Sequence, residues 1–146
     1  MQYLQTCRLL LAKSLLTDTK LSVLDVAMAA GFGSLRRMND LFQKQYRLAP
    51  TALRRQVEPT PKNDDITLAL GYRPPYRWEQ MLNFLSSRAI PGVELVSNNQ
   101  YLRTVLLQKE DGKRVCGWVR VKHRPQNNTL AVTVNSALLP VLPQVL

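Results

Sequence analysis

Arg36 and Arg37 stand side by side, with Asn39 two places on and Ser34 two places before. A guanidinium donates in a fork to guanine O6 and N7 or to phosphate oxygens, and an Asn amide pairs bidentately with adenine. Clustered at the start of one helix, such donors are what a base-reading element requires. Lys44, Arg54 and Arg55 add cations suited to phosphate, a contact that positions a protein without specifying sequence.

The elements that must position these donors are legible around them. Residues 22–54 read as two short helices meeting at Gly31-Phe32-Gly33. Ser22 caps the first, with Asp25 three places on in the manner of a capping box. Val23, Val26, Ala27 and Ala30 form its inner stripe, and Gly31 closes it as a left-handed residue. Phe32 plugs the corner. Ser34 caps the second helix, whose inner face is Leu35, Met38, Leu41 and Phe42 with Tyr46 at the far end. Arg36, Arg37, Asn39, Asp40, Gln43 and Lys44 lie off that stripe. This layout is a helix-turn-helix, in which the second helix enters the major groove amino end first. Residues 2–16 keep a helical period ahead of it, through Leu4, Cys7, Leu11 and Leu15 and through Leu9, Ala12 and Leu16. Pro50 suits the first turn of a last short helix running to Gln56.

The chain has 146 residues and a formal net charge of +10. Residues 1–57 hold nine Lys/Arg against three Asp, giving +6; residues 58–65 carry −2, and residues 66–146 return to +6. Two basic halves favour a polyanion, and nucleic acid ahead of membrane, because no strongly basic amphipathic helix appears. Cys7 and Cys116 are isolated, and the single histidine, His123, has no ligand neighbour at metal spacing. Neither a metal nor a small-molecule cofactor is expected. The start, MQYLQTCRLL, lacks the features of a signal peptide, and the apolar end, SALLPVLPQVL, is too short to span a bilayer. The expectation is a soluble, cytoplasmic protein with no membrane partner.

Residues 57–65, VEPTPKNDD, combine two prolines with charge and read as a linker between modules 1–56 and 66–146. In the second module Ile66, Leu68 and Leu70 alternate as a strand ending at Gly71. After Pro74-Pro75 a helix is predicted over Tyr76–Ile90, stopped by Pro91-Gly92. Trp78, Leu82, Leu85 and Ala89 form its core stripe, with Met81, Phe84 and Arg88 as a neighbouring one. Strands are expected at Val93–Val96, Tyr101–Gln108, Arg114–His123 and Thr129–Asn135, joined by turns at Glu110–Lys113 and Gln126–Asn128. Along Cys116, Trp118, Arg120, Lys122 and Arg124 one strand face is basic, read as solvated in preference to DNA-contacting. Pro140 opens a last helix that the chain leaves truncated. The fold class is two small modules: an all-α helix-turn-helix, then an α+β domain with an antiparallel sheet.

The stretch VLDVAMAAGFGSLRRMNDLF…YRLAPTALR resembles the second helix-turn-helix of AraC/XylS-type regulators. Asp25, Ala27, Gly31, Phe32, Ser34, Phe42, Pro50 and Arg54 fall at that family's spacing. The preceding helix, with Arg8, Ala12, Leu15 and Leu16, resembles the one linking the family's two motifs, so the likeness covers residues 3–55. It implies double-stranded DNA as partner, contacted through Ser34, Arg36, Arg37, Asn39, Lys44, Arg54 and Arg55. Three departures matter. Arg47-Leu48-Ala49-Pro50 stands where the family has Gly-x-Ser/Thr-Pro, and the lost hydroxyl cap is worth about 0.5–2 kcal/mol. Asp40 occupies a position that is basic or neutral in several members, so base preferences do not transfer. The family's first helix-turn-helix has no counterpart here, which puts expected affinity near the non-specific range of roughly 10⁻⁴–10⁻⁶ M.

Residues 66–146 carry a second likeness. Pro74-Pro75-Tyr76-x-Trp78, the run from Arg88 to Glu94, and Tyr101 with the strands to Asn135 resemble the amino-terminal domain of bacterial 3-methyladenine DNA glycosylase II. That domain is a small α+β unit similar to half of a TATA-binding protein, and the order of modules resembles Ada-type adaptive-response fusions. The likeness implies that Phe84, with Arg88, lines the cleft receiving an extruded base; simple hydrophobic packing is the competing reading. Such enzymes flip a damaged base into a pocket, and in this family an aspartate of a later helix-hairpin-helix domain assists its departure. The last acidic residue here is Asp111, in a turn. No catalytic residue is therefore expected, and the missing helix-hairpin-helix domain is the implied partner in a parent protein. Three readings stand at this point: DNA binding in alkylation-damage regulation joined to a glycosylase platform, base excision, and protein contact alone. The last draws on Leu138, Leu139, Val141, Leu142, Val145 and Leu146, which a truncated helix would leave partly uncovered.

Overall fold

The computed structural model describes residues 2–54, 65–109 and 111–146. Arg55, most of the expected linker, and Glu110 of the expected turn lie outside them. By proximity the chain forms two units: Met1–Asn63 with Leu139–Leu146, and Asp64–Leu138.

The first unit is helical, with α1 (Gln2–Asp18), α2 (Val23–Ala29) and α3 (Leu35–Tyr46). Burial on α1 begins at Leu9 and continues through Ala12, Leu15 and Leu16. Leu4 and Cys7, expected on the inner face, are instead exposed. The reason is length: α1 has 17 residues and packs against helices of 7 and 12, so its first turns extend past them. At the entry to α2, Ser22 Oγ accepts the Asp25 N–H at 3.0 Å and its hydroxyl faces the Asp25 carboxylate at 2.5 Å. The expected cap is present, but Asp25 reaches the Ser22 hydroxyl where a longer Glu would reach back to the backbone.

Gly31 takes φ +78, its N–H bonding to Met28 O at 3.0 Å while the Phe32 N–H bonds to Ala27 O at 2.9 Å. This pair of bonds satisfies carbonyls that the end of α2 would otherwise leave orphaned. Phe32 is buried at the corner, above a core of Val26, Ala27, Met38 and Phe42. At the other end of α3, Arg47 adopts the left-handed region (φ 54, ψ 25), and Ala49 offers no side-chain cap to the turn beginning at Pro50. Only a single 3₁₀ turn forms, Pro50–Leu53, where a helix to Gln56 was expected. Residues 55 and 56 of that expectation lie outside the described residues.

The second unit is a five-stranded antiparallel sheet with one helix. Its elements are β1 (Ile66–Gly71), α4 (Trp78–Ser86), β2 (Glu94–Ser97), β3 (Gln100–Gln108), β4 (Arg114–Arg124) and β5 (Thr129–Val134), in sheet order β1-β5-β4-β3-β2. Register places Ile66 and Leu68 opposite Val134 and Val132, and these opposite Val119 and Val121. That face also carries His123. The Trp78 ring lies 5.7 Å from His123, which sets α4 over this apolar face. Trp78 and Leu82 are buried there.

α4 is shorter than expected at both ends. Tyr76 and Arg77 precede it outside the helix, Arg77 at φ −88 and ψ 68, and after Ser86 the N–H groups of Arg88 and Ala89 reach back only three residues. Between β2 and β3 the turn is Asn98-Asn99, both with positive φ, a conformation Asn tolerates better than other non-glycine residues. β5 is followed by a 3₁₀ turn, Ser136–Val141, and by α5 (Leu142–Val145).

The carboxyl end corrects the expectation of an uncovered apolar tail for three of its six residues. Leu138, Val141 and Leu142 are fully buried, Leu139 and Val145 are half-buried, and Leu146 is exposed. Residues from Leu139 onward group with the helical unit rather than with the sheet. A Cβ on Gly31 would stand 3.5 Å from Pro143 Cγ.

Candidate nucleic-acid interface

α3 carries the predicted reading face. Ser34 precedes it in extended backbone, and its Oγ accepts the Arg37 N–H at 3.2 Å, satisfying one of the orphan donors of the first turn. With Met38 and Phe42 driven inward, the helix rotates Arg36, Arg37, Asn39, Asp40, Gln43 and Lys44 outward, and all six are exposed. Arg36, Asn39 and Gln43 succeed one another at helical spacing, as do Arg37 and Lys44 across two turns. No first-turn acid offsets the arginines. The positive end of the helix dipole and two exposed arginines therefore share the first turn, where both favour an anion.

A shallow groove of about 380 Å³ runs beside this face, lined by Val23, Leu35, Asn39, Asp40, Gln43 and the turn at Pro50. The underside is braced by Phe42 against Tyr46, ring centroids 4.7 Å apart, with the Lys13 ammonium 5.7 Å from the Tyr46 ring.

The Arg54 guanidinium donates to the Leu21 carbonyl, tying the end of the module to the approach to α2. Arg55 lies outside the described residues. The structure thus brings Arg36, Arg37, Asn39 and Lys44 together on one helix with Ser34 as its cap, while Arg54 follows the Pro50 turn and is bonded to Leu21.

In the sheet unit, Phe84 is 53% exposed on α4, and the Arg88 guanidinium carbon lies 4.6 Å from its ring centre. Half of a large aromatic left in solvent and paired with a cation is not ordinary core packing. Sequence reasoning passed over a second group in this unit. Tyr72 Oη lies 2.6 Å from His123 Nε2, and the rings of Tyr76 and Trp78 lie 6.0 Å and 5.7 Å from the imidazole. The Trp78 indole N–H reaches Asn99 Oδ1 at 2.9 Å. Tyr76, Trp78, Asn99 and His123 border an open groove of about 510 Å³. No spacing rule links Tyr72 to a histidine 51 positions away.

Nearer the β2 edge, Glu94 accepts the Tyr101 hydroxyl at 2.6 Å and the Ile90 N–H at 3.1 Å, with Arg103 at 3.6 Å. The Tyr101 bond, then the Ile90 bond and the Arg103 charge, hold the Glu94 carboxyl below its ordinary range despite some burial. Burial, and then Glu94, push the Tyr101 phenol up.

The geometry defines a class: an AraC-type helix-turn-helix ahead of a small α+β sheet domain. A helix-turn-helix domain profile matches residues 1–56. The chain belongs to the AlkA N-terminal domain family, whose profile matches residues 67–146. Over 110 residues it is 34% identical to the "Probable bifunctional transcriptional activator/DNA repair enzyme AlkA" of Mycobacterium tuberculosis, covering 72% of this chain and 22% of that protein. Over 77 residues it is 31% identical to DNA-3-methyladenine glycosylase 2 of Escherichia coli, covering 53% of this chain and 26% of the relative. The chain therefore spans about a fifth to a quarter of these relatives' length. Among the described residues no helix is long and apolar enough to cross a membrane.

Proposed function

We propose that this chain binds duplex DNA through α3, as the regulatory portion of an alkylation-response protein, in the cytoplasm. Arg36, Arg37 and Asn39 approach base edges, and Lys44 holds phosphate, with Arg54 and Arg55 flanking. The observation that carries this reading is the capped, acid-free first turn of α3, with both arginines exposed above a buried Met38-Phe42 underside. Modules 1–56 and 66–146 act as separate domains across the linker 57–65. The sheet domain serves as the non-catalytic platform of a DNA-3-methyladenine glycosylase, with Phe84 and Arg88 facing the extruded base. Catalysis rests with a helix-hairpin-helix domain of the whole protein, and neither half requires a metal or small-molecule cofactor.

Titrating a ¹⁵N-labelled chain with a mixed-sequence duplex tests the DNA reading at any affinity. The amide signals of Ser34–Lys44 are expected to move first. Saturating shifts that leave those signals in place would overturn it.

A further inference from the structure

The sheet has a second face whose chemistry α3 does not explain. Register sets Arg114, Trp118, Arg120, Lys122 and Arg124 of β4 on the side opposite Val119, Val121 and His123. Across β3 the same side carries Leu102, Thr104 and Leu106, and across β2 it carries Leu95. None of the strand residues sharing this side is Asp or Glu, so its four cations meet no acid within the face. Leu106 is 61% exposed and Leu95 55% exposed, apolar surface left among the charges. The Arg120 guanidinium carbon lies 5.5 Å from the Trp118 ring centre. Arg120 Nε and Gln100 Oε1, diagonal neighbours on this face, are buried polar atoms without a hydrogen-bond partner among the described residues.

A cationic face without acids calls for a polyanion. Its apolar component narrows the choice. Phosphate contact needs charge alone, whereas unpaired bases stack on an indole and cover leucine side chains. A broad five-stranded sheet face presents neither the helix nor the isolated two-stranded ribbon that a duplex major groove about 12 Å wide admits. We propose that this face binds a single strand of DNA, with bases on Trp118, Leu102 and Leu106 and phosphates on Arg120, Lys122 and Arg124. The surface is distinct from α3 and does not depend on the duplex-binding reading.

The test is fluorescence anisotropy of the full chain with a labelled oligothymidylate, against a duplex of equal length, an oligouridylate and poly-glutamate as competitors. Trp118→Ala weakens oligothymidylate binding roughly 5- to 100-fold, and Trp118→Phe largely restores it. Lys122→Glu with Arg124→Glu, on exposed side chains that folding does not need, weakens it further and flattens the salt dependence. Arg36→Ala with Arg37→Ala leaves it unchanged. Oligothymidylate affinity that survives both the Trp118 and the Lys122/Arg124 changes would overturn the proposal. So would a loss caused by the Arg36/Arg37 pair, or equal competition by duplex, oligouridylate or poly-glutamate.

Discussion

Ser34 Oγ accepts the Arg37 backbone N–H at 3.2 Å, so the residue that starts α3 is bonded to one of the residues the helix presents. This cap stabilises the first turn of the helix, where Arg36 and Arg37 are exposed. Ser34→Ala is expected to cost about 1 kcal/mol, within a usual range of roughly 0.5–2. Chemical denaturation measures that loss. Ser34→Asp keeps the cap but places a negative charge where phosphate would approach, so stability should hold while duplex affinity falls.

Arg47 in the left-handed region and the uncapped Ala49 mark two local weaknesses. A side chain in that backbone region costs about 1–2 kcal/mol relative to glycine. Arg47→Gly should therefore raise the urea midpoint of the helical unit, offset in part by the added freedom of the unfolded chain. Ala49→Ser should add about 0.5–1 kcal/mol by capping the Pro50 turn. An Arg47→Gly chain no more stable than the parent would show that Arg47 makes a compensating contact.

Gly117 on β4 faces Leu138, and a Cβ there would stand 2.6 Å from Leu138 Cγ. Leu138 is fully buried. Gly117→Ala should destabilise the sheet unit by about 1–3 kcal/mol, as overpacking does. Thermal melts of Gly117→Ala with and without Leu138→Val check the cause, since the smaller partner should recover part of the loss.

The Glu94–Tyr101 pair gives stability a pH signature. Glu94 ionises below its ordinary value of 4.5, so its contribution is present above that value and is lost as pH falls through the lower folded-state pKa. Tyr101 ionises above 10.0, so its contribution is present below that value and is lost as pH rises through the higher folded-state pKa. Tyr101→Phe removes the largest influence on Glu94, and its stability profile should be flatter at both the acid and the alkaline limb. Unchanged limbs would place the pH dependence elsewhere.

The features legible in the sequence were local. Ser22, Gly31, Phe32 and Ser34 each act within a few residues of their own position, and each behaves as its type and spacing require. Alternation marks the strands and short turns their antiparallel sense, whereas the pairing of β1 with β5 has no local signal. The Asn98-Asn99 turn was readable in principle, because two Asn in sequence favour positive φ, yet no glycine drew attention to it. Contacts between distant positions were not legible: the Arg54 bond to Leu21, the Tyr72–His123 pair, and the grouping of Leu139–Leu146 with the helical unit. Periodicity identifies an apolar face and says nothing of which neighbour covers it. The burial of Leu138, Val141 and Leu142 removes half of the apolar tail on which the protein-contact reading rested and leaves Leu146 exposed.

Reading of duplex DNA by Arg36 and Arg37 at the start of α3 is open to direct measurement. The most direct measurement compares the parent chain with Arg36→Ala/Arg37→Ala on a panel of duplexes of different sequence, across a range of salt. The expected result is weaker binding to the preferred duplex, preferences that collapse toward one common affinity, and a shallower salt slope. A double variant that folds normally and binds every duplex as the parent does would contradict it.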